Sequence, residues 1–270
     1  MKKLIVFIIV SIPVILIAQD NQPSTRKEKK EARKEKINQL IKQEEEGALI
    51  YQKQSLWGFA LNTDGWNIIN EHGKYKSITK TNLWWLELGE HKDPKQEKLS
   101  KSAYNIPGLS LGNPFVYGKE NNFYYLKLGF GSQYLIGGKG NKNGVAVSAI
   151  YGGGLSLGML KPYYIQVVDP NTGNVTDIKY NNNDSTFLNP DIITGASSFG
   201  KGFSEIKYVP GIHLRSGLRF DYGRYNEVLS ALEVGLNLEY YSEKMPIMVQ
   251  NDPHHAFLNA YIKIEFGKRK

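Results

Sequence analysis

Cysteine is absent from this chain of 270 residues. Its absence excludes disulfide bonds, cysteine-ligated zinc, a thiol nucleophile and the lipidated cysteine of a lipoprotein. A strong charge of one sign is also lacking, because 34 Lys and Arg face 26 Asp and Glu, for a formal charge of +8. Much of the basic excess lies near the N-terminus, where it suits anionic membrane headgroups better than nucleic acid. We therefore expect no nucleic-acid partner.

One long apolar stretch stands at the start of a chain whose mean hydropathy is −0.40. Met1, Lys2 and Lys3 precede the apolar residues 4–18, and polar sequence follows Ala18. A basic start, an apolar run and a small residue are typical of a secretory signal, and the run is shorter than the ~20 residues of a spanning helix. We predict a cleaved signal peptide over residues 1–19, with an uncleaved anchor as the alternative.

The next segment is highly charged. Residues 26–46 alternate Lys and Arg with Glu, and Ile37, Leu40 and Ile41 share one helical face. This pattern is typical of a solvated helix or a disordered linker. We predict a periplasmic linker over residues 20–47; an arm that docks a partner or peptidoglycan is the alternative.

From residue 48 onward the pattern has the period of two that β-strands require. It is clearest over 212–222, 229–241 and 257–266, where apolar and polar residues alternate. Strands are predicted at 50–62, 65–74, 78–90, 122–136, 144–160, 205–222, 227–242 and 255–267. The sequence thus predicts an all-β fold, an eight-stranded antiparallel transmembrane β-barrel over residues 48–270.

The predicted connections alternate in length. Short turns fall at His72–Ser77, Gly137–Asn143 and Gly223–Asn226, and longer loops at 91–121, 161–204 and 243–254, while the first hairpin (62–65) is tight. Short periplasmic turns and long external loops are typical of outer-membrane barrels. We therefore predict export through the Sec pathway to a bacterial outer membrane. Its lipid and lipopolysaccharide are then the expected partners, with another envelope protein as a further one.

The polar face of the last three strands is predicted to point into the barrel. The charged residues expected there are His213, Arg215, Arg219, Asp221, Glu233, Glu239, Lys263 and Glu265. The interior of an eight-stranded barrel is only wide enough for side chains, and charges held there should pair. A filled lumen argues against a porin, although a narrow channel or uptake protein remains an alternative.

The polar residues include a few candidates for a catalytic or metal site. His213 with Glu233 or Glu239 and a serine such as Ser148 would suit a lipid A-modifying enzyme, but Ser216 falls on the opposite face. A lumen histidine satisfied by a carboxylate is the simpler interpretation. The pair His254-His255 lacks a third ligand, and Gly152–Gly154 lacks the features of a phosphate loop. No catalytic residue, metal or cofactor is predicted.

A set of aromatic, polar and glycine residues falls in the first hairpin and beside two long loops. These residues are Asn62, Asp64, Gly65, Trp66, Tyr117, Lys119, Lys161 and Tyr163. The Asp-Gly pair is expected to supply the positive φ angles of a tight turn. The set is predicted to lie at the surface, either as an interfacial aromatic belt or as a binding surface.

The same segments resemble a family of small outer-membrane β-barrel proteins found in Bacteroidota. The resemblance rests on the Asn62–Trp66 turn, Val116-Tyr117-Gly118-Lys119, Leu157-Gly158 with Lys161-Pro162, and Ala231-Leu232-Glu233-Val234-Gly235, and it spans roughly residues 56–267. It implies an outer-membrane location and the barrel fold, and it carries no catalytic residues with it. We expect a non-enzymatic, structural or assembly-accessory barrel whose external loops bind a partner protein or a glycolipid. A lipopolysaccharide-modifying enzyme is the alternative, beside the narrow channel.

Overall fold

The computed structural model describes residue 31 and residues 51–100, 113–140, 144–181, 185–223 and 228–270. The predicted signal peptide lies outside the described residues, and so does the charged segment 20–47 except for residue 31. Parts of the predicted connections, namely 101–112, 141–143, 182–184 and 224–227, lie outside them as well. Within the described ranges, no helix is long and apolar enough to cross a membrane.

Eight long strands close into one antiparallel barrel. Among the thirteen strands of the described chain, numbered in chain order, they are β1 (Lys53–Asn62), β2 (Gly65–Ser77), β3 (Lys80–His91), β6 (Asn121–Gly137), β7 (Ala146–Pro162), β11 (Lys207–Asp221), β12 (Val228–Met245) and β13 (His254–Arg269). Barrel strands that follow one another along the chain are neighbours, and β1 pairs with β13 to close the ring. The all-β fold and the eight predicted strands are confirmed, with every boundary within three residues of its prediction.

The two ends of the barrel differ in the length of their connections, as predicted. Residues 78–79, 138–145 and 222–227 link strands at one end, called here the turn end. The other, the loop end, carries the tight hairpin after β1 and the long connections 92–120, 163–206 and 246–253. The predicted turn at His72–Ser77 is wrong, because β2 continues to Ser77 and keeps pairing with β3 up to Lys80. The turn is therefore Ile78-Thr79.

Side chains alternate across the barrel wall. On β1, Trp57, Phe59 and Leu61 point outward and are exposed, whereas Leu56 and Ala60 are buried inside. The outward residues of the other strands include Ile68, Trp84, Leu86, Leu88, Leu128, Phe130, Leu155, Ile212, Leu214, Leu236, Leu238, Leu258, Ile262, Ile264 and Phe266. A water-soluble monomer rarely exposes an apolar surface of this extent. The wall is thus built to face an apolar medium.

Trp85 fills part of the interior against a wall of glycines. A Cβ atom would lie 2.2 Å from the indole at Gly129, 3.0 Å at Gly131 and 2.7 Å at Gly152. A Cβ at Gly154 would lie 2.0 Å from the carbonyl oxygen of Leu128. The glycine run therefore allows close packing of the indole and of neighbouring strands.

The long connections fold into a small structure at the loop end. Its strands are β4 (Lys98–Leu99), β5 (Phe115–Val116), β8 (Tyr164–Val168), β9 (Val175–Lys179) and β10 (Ile193–Ala196). Strands β10, β8 and β9 form one sheet, and β4 pairs with β5. Their apolar core contains Phe115, Ile165, Val167, Phe187 and Ile193, with Tyr117 and Val249 packed against it. The three long connections therefore share a core, and their described residues are called the cap below.

Candidate functional site: the lumen and the cap

The structure places all eight charged residues that were predicted for the lumen inside the barrel, none more than 4% exposed. They are His213, Arg215, Arg219, Asp221, Glu233, Glu239, Lys263 and Glu265. Seven of them take part in three groups of ion pairs, called here the central, upper and lower clusters. His213 lies apart from these ion pairs.

The central cluster joins three cations, Arg215, Arg219 and Lys263, to the carboxylates of Glu71, Glu233 and Glu265. Glu233 forms ion pairs with Arg215 at 2.5 Å, with Arg219 at 2.8 Å and with Lys263 at 2.9 Å. Arg219 also reaches Glu71 at 2.8 Å and Glu265 at 2.6 Å. Because the partners come from β2, β11, β12 and β13, the cluster ties opposite walls together. Its charges balance, as the burial of ions requires.

The upper cluster lies nearer the loop end and consists of Asp64, Glu87, His91, Lys127 and Glu239. Lys127 donates to Glu239 at 2.7 Å and to Glu87 at 3.2 Å. His91 Nδ1 lies 2.8 Å from Asp64, and its Nε2 lies 3.1 Å from Glu239. A doubly protonated imidazolium satisfies this arrangement, since both carboxylates only accept hydrogen bonds. The cluster therefore fixes the first hairpin to β3, β6 and β12.

The lower cluster lies at the turn end and is centred on Asp221. Its carboxylate pairs with Arg269 at 2.5 Å and with Lys139 at 3.2 Å. The guanidinium of Arg269 also sits over the ring of Tyr51, 4.8 Å from its centroid. With this cluster, the described lumen buries six acidic and six basic side chains of the strands and turns. These are Glu71, Glu87, Asp221, Glu233, Glu239 and Glu265 with Lys127, Lys139, Arg215, Arg219, Lys263 and Arg269.

His213 pairs with a serine, but not with Ser216 or Ser148. Its Nδ1 lies 3.1 Å from Ser156 Oγ, while its Nε2 has no hydrogen-bond partner among the described residues. Ser216 points out of the barrel, and Ser148 accepts a hydrogen bond from Gln133. The expected carboxylate partner of His213 is wrong, because Glu239 is held by Lys127 and His91. A nucleophile at Ser156 would face a closed interior that acyl chains do not enter.

Half of the lumen network was missed from the sequence. Glu71, Glu87, His91 and Lys127 lie on β2, β3 and β6, where their inward neighbours are glycine, isoleucine, tryptophan or tyrosine rather than further charges. The available signal was their position, because each of them falls on the alternate residues of its strand that face inward. Glu87 shares its face with Trp85, which is wholly buried.

The first hairpin belongs partly to the lumen, so the prediction of a wholly exposed surface is wrong there. Asp64 turns inward to His91, and Asn62 donates to Tyr125 Oη at 3.2 Å. Trp66 is half-buried, and its indole donates to Glu90 at 3.0 Å. Gly65 has a positive φ of 159°, and a Cβ there would lie 1.8 Å from the carbonyl oxygen of Glu90. The positive φ expected of this glycine is present, and close strand approach excludes a side chain there as well.

The other four predicted surface residues lie at the base of the cap. Tyr117 donates to the carbonyl of Leu188 at 2.7 Å, and Tyr163 accepts from the amide of Val116 at 3.1 Å. Lys119 and Lys161 are buried, so their prediction as surface residues is wrong. The physical reason is that the long connections fold over them and supply a packed core.

The two buried lysines at the base of the cap, Lys119 and Lys161 at the end of β7, contact no carboxylate among the described residues at ion-pair distance. Lys161 donates to the carbonyl of Phe199 at 2.5 Å, and its ammonium lies 4.1 Å from the ring centroid of Phe199 and 4.2 Å from that of Phe203. Lys119 lies 5.6 Å from the ring of Tyr163. Burial lowers the pKa of Lys119 to about 8, with Glu90 opposing the shift.

The adjacent residues His254 and His255 do not form a metal site with other described side chains. His255 Nδ1 lies 3.1 Å from the carbonyl oxygen of Tyr241, and its ring stacks on Tyr240. Among the described residues, no group of three or more His, Cys, Asp and Glu side chains is arranged to hold a metal ion.

No protein-family model and no curated protein matches the chain. Three solved structures are similar to it over about four-fifths of its length. The N-terminal β-barrel domain of Pseudomonas aeruginosa OprF has 10% identity and a TM-score of 0.36, with 80% of this chain and 98% of that one covered. Neisserial surface protein A has 11% identity and a TM-score of 0.36, with 81% of this chain and 96% of that one covered. The attachment invasion locus protein Ail of Yersinia pestis has 8% identity and a TM-score of 0.35, with 82% of this chain and 100% of that one covered.

Proposed function

We propose that this chain is a non-enzymatic outer-membrane β-barrel protein, structural or assembly-accessory, whose cap binds a partner protein or a glycolipid. The observation that carries the proposal is the division of the molecule into a filled barrel with an apolar outer face and a folded cap with its own core. The barrel serves as an anchor, and the recognition surface is the cap.

The barrel wall supports the membrane location. A tilted strand needs about 9–11 residues to cross a bilayer. The eight barrel strands have between 10 and 18 residues. A closed ring leaves no unpaired backbone edge in lipid, and the outward residues supply the apolar surface that lipid requires.

The lumen supports an anchor rather than a channel. Every charged side chain of the central cluster is at most 2% exposed, and its ions pair with one another across the interior. An ion or solute in transit would have to break several of these contacts. In planar-bilayer recordings we expect no unitary conductance from the purified protein, and steady single-channel steps would overturn the proposal that the barrel is filled.

The cap supports the binding role. Phe199 is 70% exposed and Phe203 48%, and the two rings meet edge to face at a centroid distance of 5.4 Å. Exposed aromatic side chains are enriched at the anchoring positions of interfaces. The ammonium of Lys161 lies against both rings and helps to fix their positions.

The test is crosslinking in whole cells with two chains, the wild type and a chain in which a short Gly-Ser linker replaces residues 164–205. The deletion leaves all eight barrel strands intact, so both chains should reach the outer membrane and show heat-modifiable gel mobility. We expect a crosslinked protein or glycolipid adduct with the wild type and its loss with the deletion. An identical adduct pattern from both chains would place recognition outside residues 164–205, where the exposed Phe199 and Phe203 lie, and contradict the proposal.

A further inference from the structure

A cleft of about 730 Å³ lies on the outer face of the barrel at the turn end, where β2, β1 and β13 run side by side. Its size is within the range of small-ligand sites, ~300–1,000 Å³. Its lining is both basic and aromatic. The lining residues used below are Lys53, Ser55, Trp57, His72, Lys74, Trp84, Lys268 and Lys270.

The strand register arranges these residues in rows. Closest to the end of the barrel, Lys270, Lys53 and Lys74 are neighbours across three strands. None of the three forms an ion pair with a residue that the structure describes. Three like charges side by side repel one another, so this row is costly unless an anion lies against it.

The next row across the strands is Lys268, Ser55, His72 and Trp84. The His72 ring stacks on Trp84 with 4.5 Å between centroids, and its Nε2 lies 2.9 Å from Asn70 Oδ1. Asn70 in turn donates to the carbonyl of Leu56 at 3.2 Å. Polar groups are thus held in fixed positions on a face that is otherwise apolar.

The third row, one step further from the end, contains Phe266 and Trp57, which are exposed and apolar. The outer face therefore changes within three rows from ammonium groups to hydrogen-bonding groups to aromatic rings. A glycerophospholipid has the same sequence of chemistry, with its phosphate, its ester carbonyls and its acyl chains.

Among the described residues, this gradation lies on one side of the barrel. At the same end of β6, β11 and β12, the described outward residues include Tyr134, Ile136, Tyr222 and Val228, none of which is charged. An interfacial belt alone would not order basic, polar and aromatic residues in successive rows. Among the described lysines of this end, four line the one cleft, and Lys76 and Lys80 lie on the adjoining β2 and β3.

From this geometry we infer that the cleft is a binding site for one anionic glycerophospholipid of the leaflet at the turn end. Lys53, Lys74, Lys268 and Lys270 hold its phosphate, and Ser55 and His72 meet its ester region. Trp57, Trp84 and Phe266 pack along the first acyl carbons. The inference rests on the proposed membrane location, but it assigns a specific lipid class and position that the location alone does not require.

The test uses the full-length mature protein in non-ionic detergent and native mass spectrometry. Phosphatidylglycerol is added in parallel with phosphatidylcholine of the same acyl chains. We expect phosphatidylglycerol to remain bound as a single adduct and the triple variant K53Q/K74Q/K268Q to retain roughly tenfold less or lower, because each lysine beside an anionic lipid adds attraction. The matched control is K95Q/K98Q/K244Q, which removes the same charge from exposed loop-end positions and should bind like the wild type.

Three outcomes would overturn the site: equal retention of both lipids by the wild type, equal loss in the control variant, or full displacement of the lipid by excess inorganic phosphate. The last would mean that the lysines recognise a phosphate ion and not a lipid. Heat-modifiable gel mobility reports the folding of each variant, and the conservative single variant K74R, which keeps the positive charge, should bind like the wild type. Flotation of the wild type with lipid vesicles separates the two proposals. Failure to float contradicts the membrane location itself, whereas flotation without lipid selectivity contradicts only the site.

Discussion

The barrel lumen and the cap differ in whether their buried charged side chains form ion pairs. In the lumen, acidic and basic side chains are equal in number and are joined in clusters that connect distant strands. At the cap and its base, Lys119 and Lys161 are buried without a described carboxylate in ion-pair contact, and the buried core of the cap is apolar. The difference indicates that buried ion pairs fix the shape of the barrel, whereas the cap is held by an apolar core, short sheets and ion pairs at its surface.

The largest expected effect comes from breaking the central cluster. Glu233→Ala leaves Arg215, Arg219 and Lys263 each short of a partner in a closed interior. Removing one side of a buried ion pair costs about 3–5 kcal/mol. Because three cations each lose one partner, we expect this variant to lose about 5 kcal/mol of unfolding free energy. Urea unfolding in lipid vesicles, followed by tryptophan fluorescence, measures it. Unchanged stability would mean that the lumen charges do not hold the barrel together.

The next effect should be confined to the cap. Phe187 is wholly buried in the cap core, and Phe187→Ala should destabilise that core by about 3–5 kcal/mol through loss of contacts and the cavity left behind. The barrel should retain its heat-modifiable mobility while limited proteolysis cuts the cap much faster. Val175→Ala, at an exposed position of β9, is the control. Equal loss of barrel stability in Phe187→Ala would show that the two regions unfold as one.

A smaller effect, of opposite sign, is expected at Lys119. Its pKa of about 8 in the folded cap lies below the usual value of 10.5, so folding penalises the charged form. The penalty is fully present below about pH 8 and disappears as the pH rises towards 10.5, where the unfolded chain also loses its proton. The shift corresponds to about 3 kcal/mol. The cap should therefore become more stable as the pH rises from 8 to 10.5.

The variant Lys119→Met removes this titration while keeping the length of the side chain. At each pH, the rate of cap proteolysis in the wild type is divided by the rate in the variant. This ratio cancels the pH dependence of the protease itself. We expect a ratio well above one at pH 7 that approaches one near pH 10.5. A ratio that does not change with pH would refute the assignment of a buried unpaired ammonium.

The smallest effect belongs to an exposed ion pair and calibrates the first prediction. Lys207 and Glu243 lie 2.5 Å apart with more than half of each side chain exposed. Glu243→Gln should change the free energy of unfolding by about 0.5 kcal/mol or less, because water screens the pair. An effect as large as that of Glu233→Ala would show that burial does not decide the value of these contacts.

The strands and part of the lumen could be predicted because alternation is a local signal. On β11, β12 and β13 the inward residues are repeatedly charged, and parity alone places Arg219, Glu233 and Lys263 together. On β3 and β6 the inward charges Glu87 and Lys127 are separated by Trp85, Tyr125 and glycines, so the same face did not read as polar. The contact between Glu71 and Arg219 depends on ring closure, which parity does not contain.

The cap could not be predicted for a different reason. Its core brings Phe115 of connection 92–120 together with Ile165 and Ile193 of connection 163–206, and these residues share no common period. The burial of Lys119 and Lys161 follows from that assembly. Short strands such as β9 and β10 gain their structure from neighbours distant in the chain, and propensity alone does not specify them.

The pairing of β1 with β13 has a consequence for the order of events during biogenesis. The ring is closed by the last 16-residue strand, so a chain released without it has two unpaired edges, on β1 and on β12. Such edges are prone to pair with other chains. The same strand carries Lys263, Glu265 and Arg269, so the central and lower clusters are complete only once the ring has closed. Closure of the backbone ring and pairing of these buried charges are therefore one event, and a chain that lacks the last strand loses both.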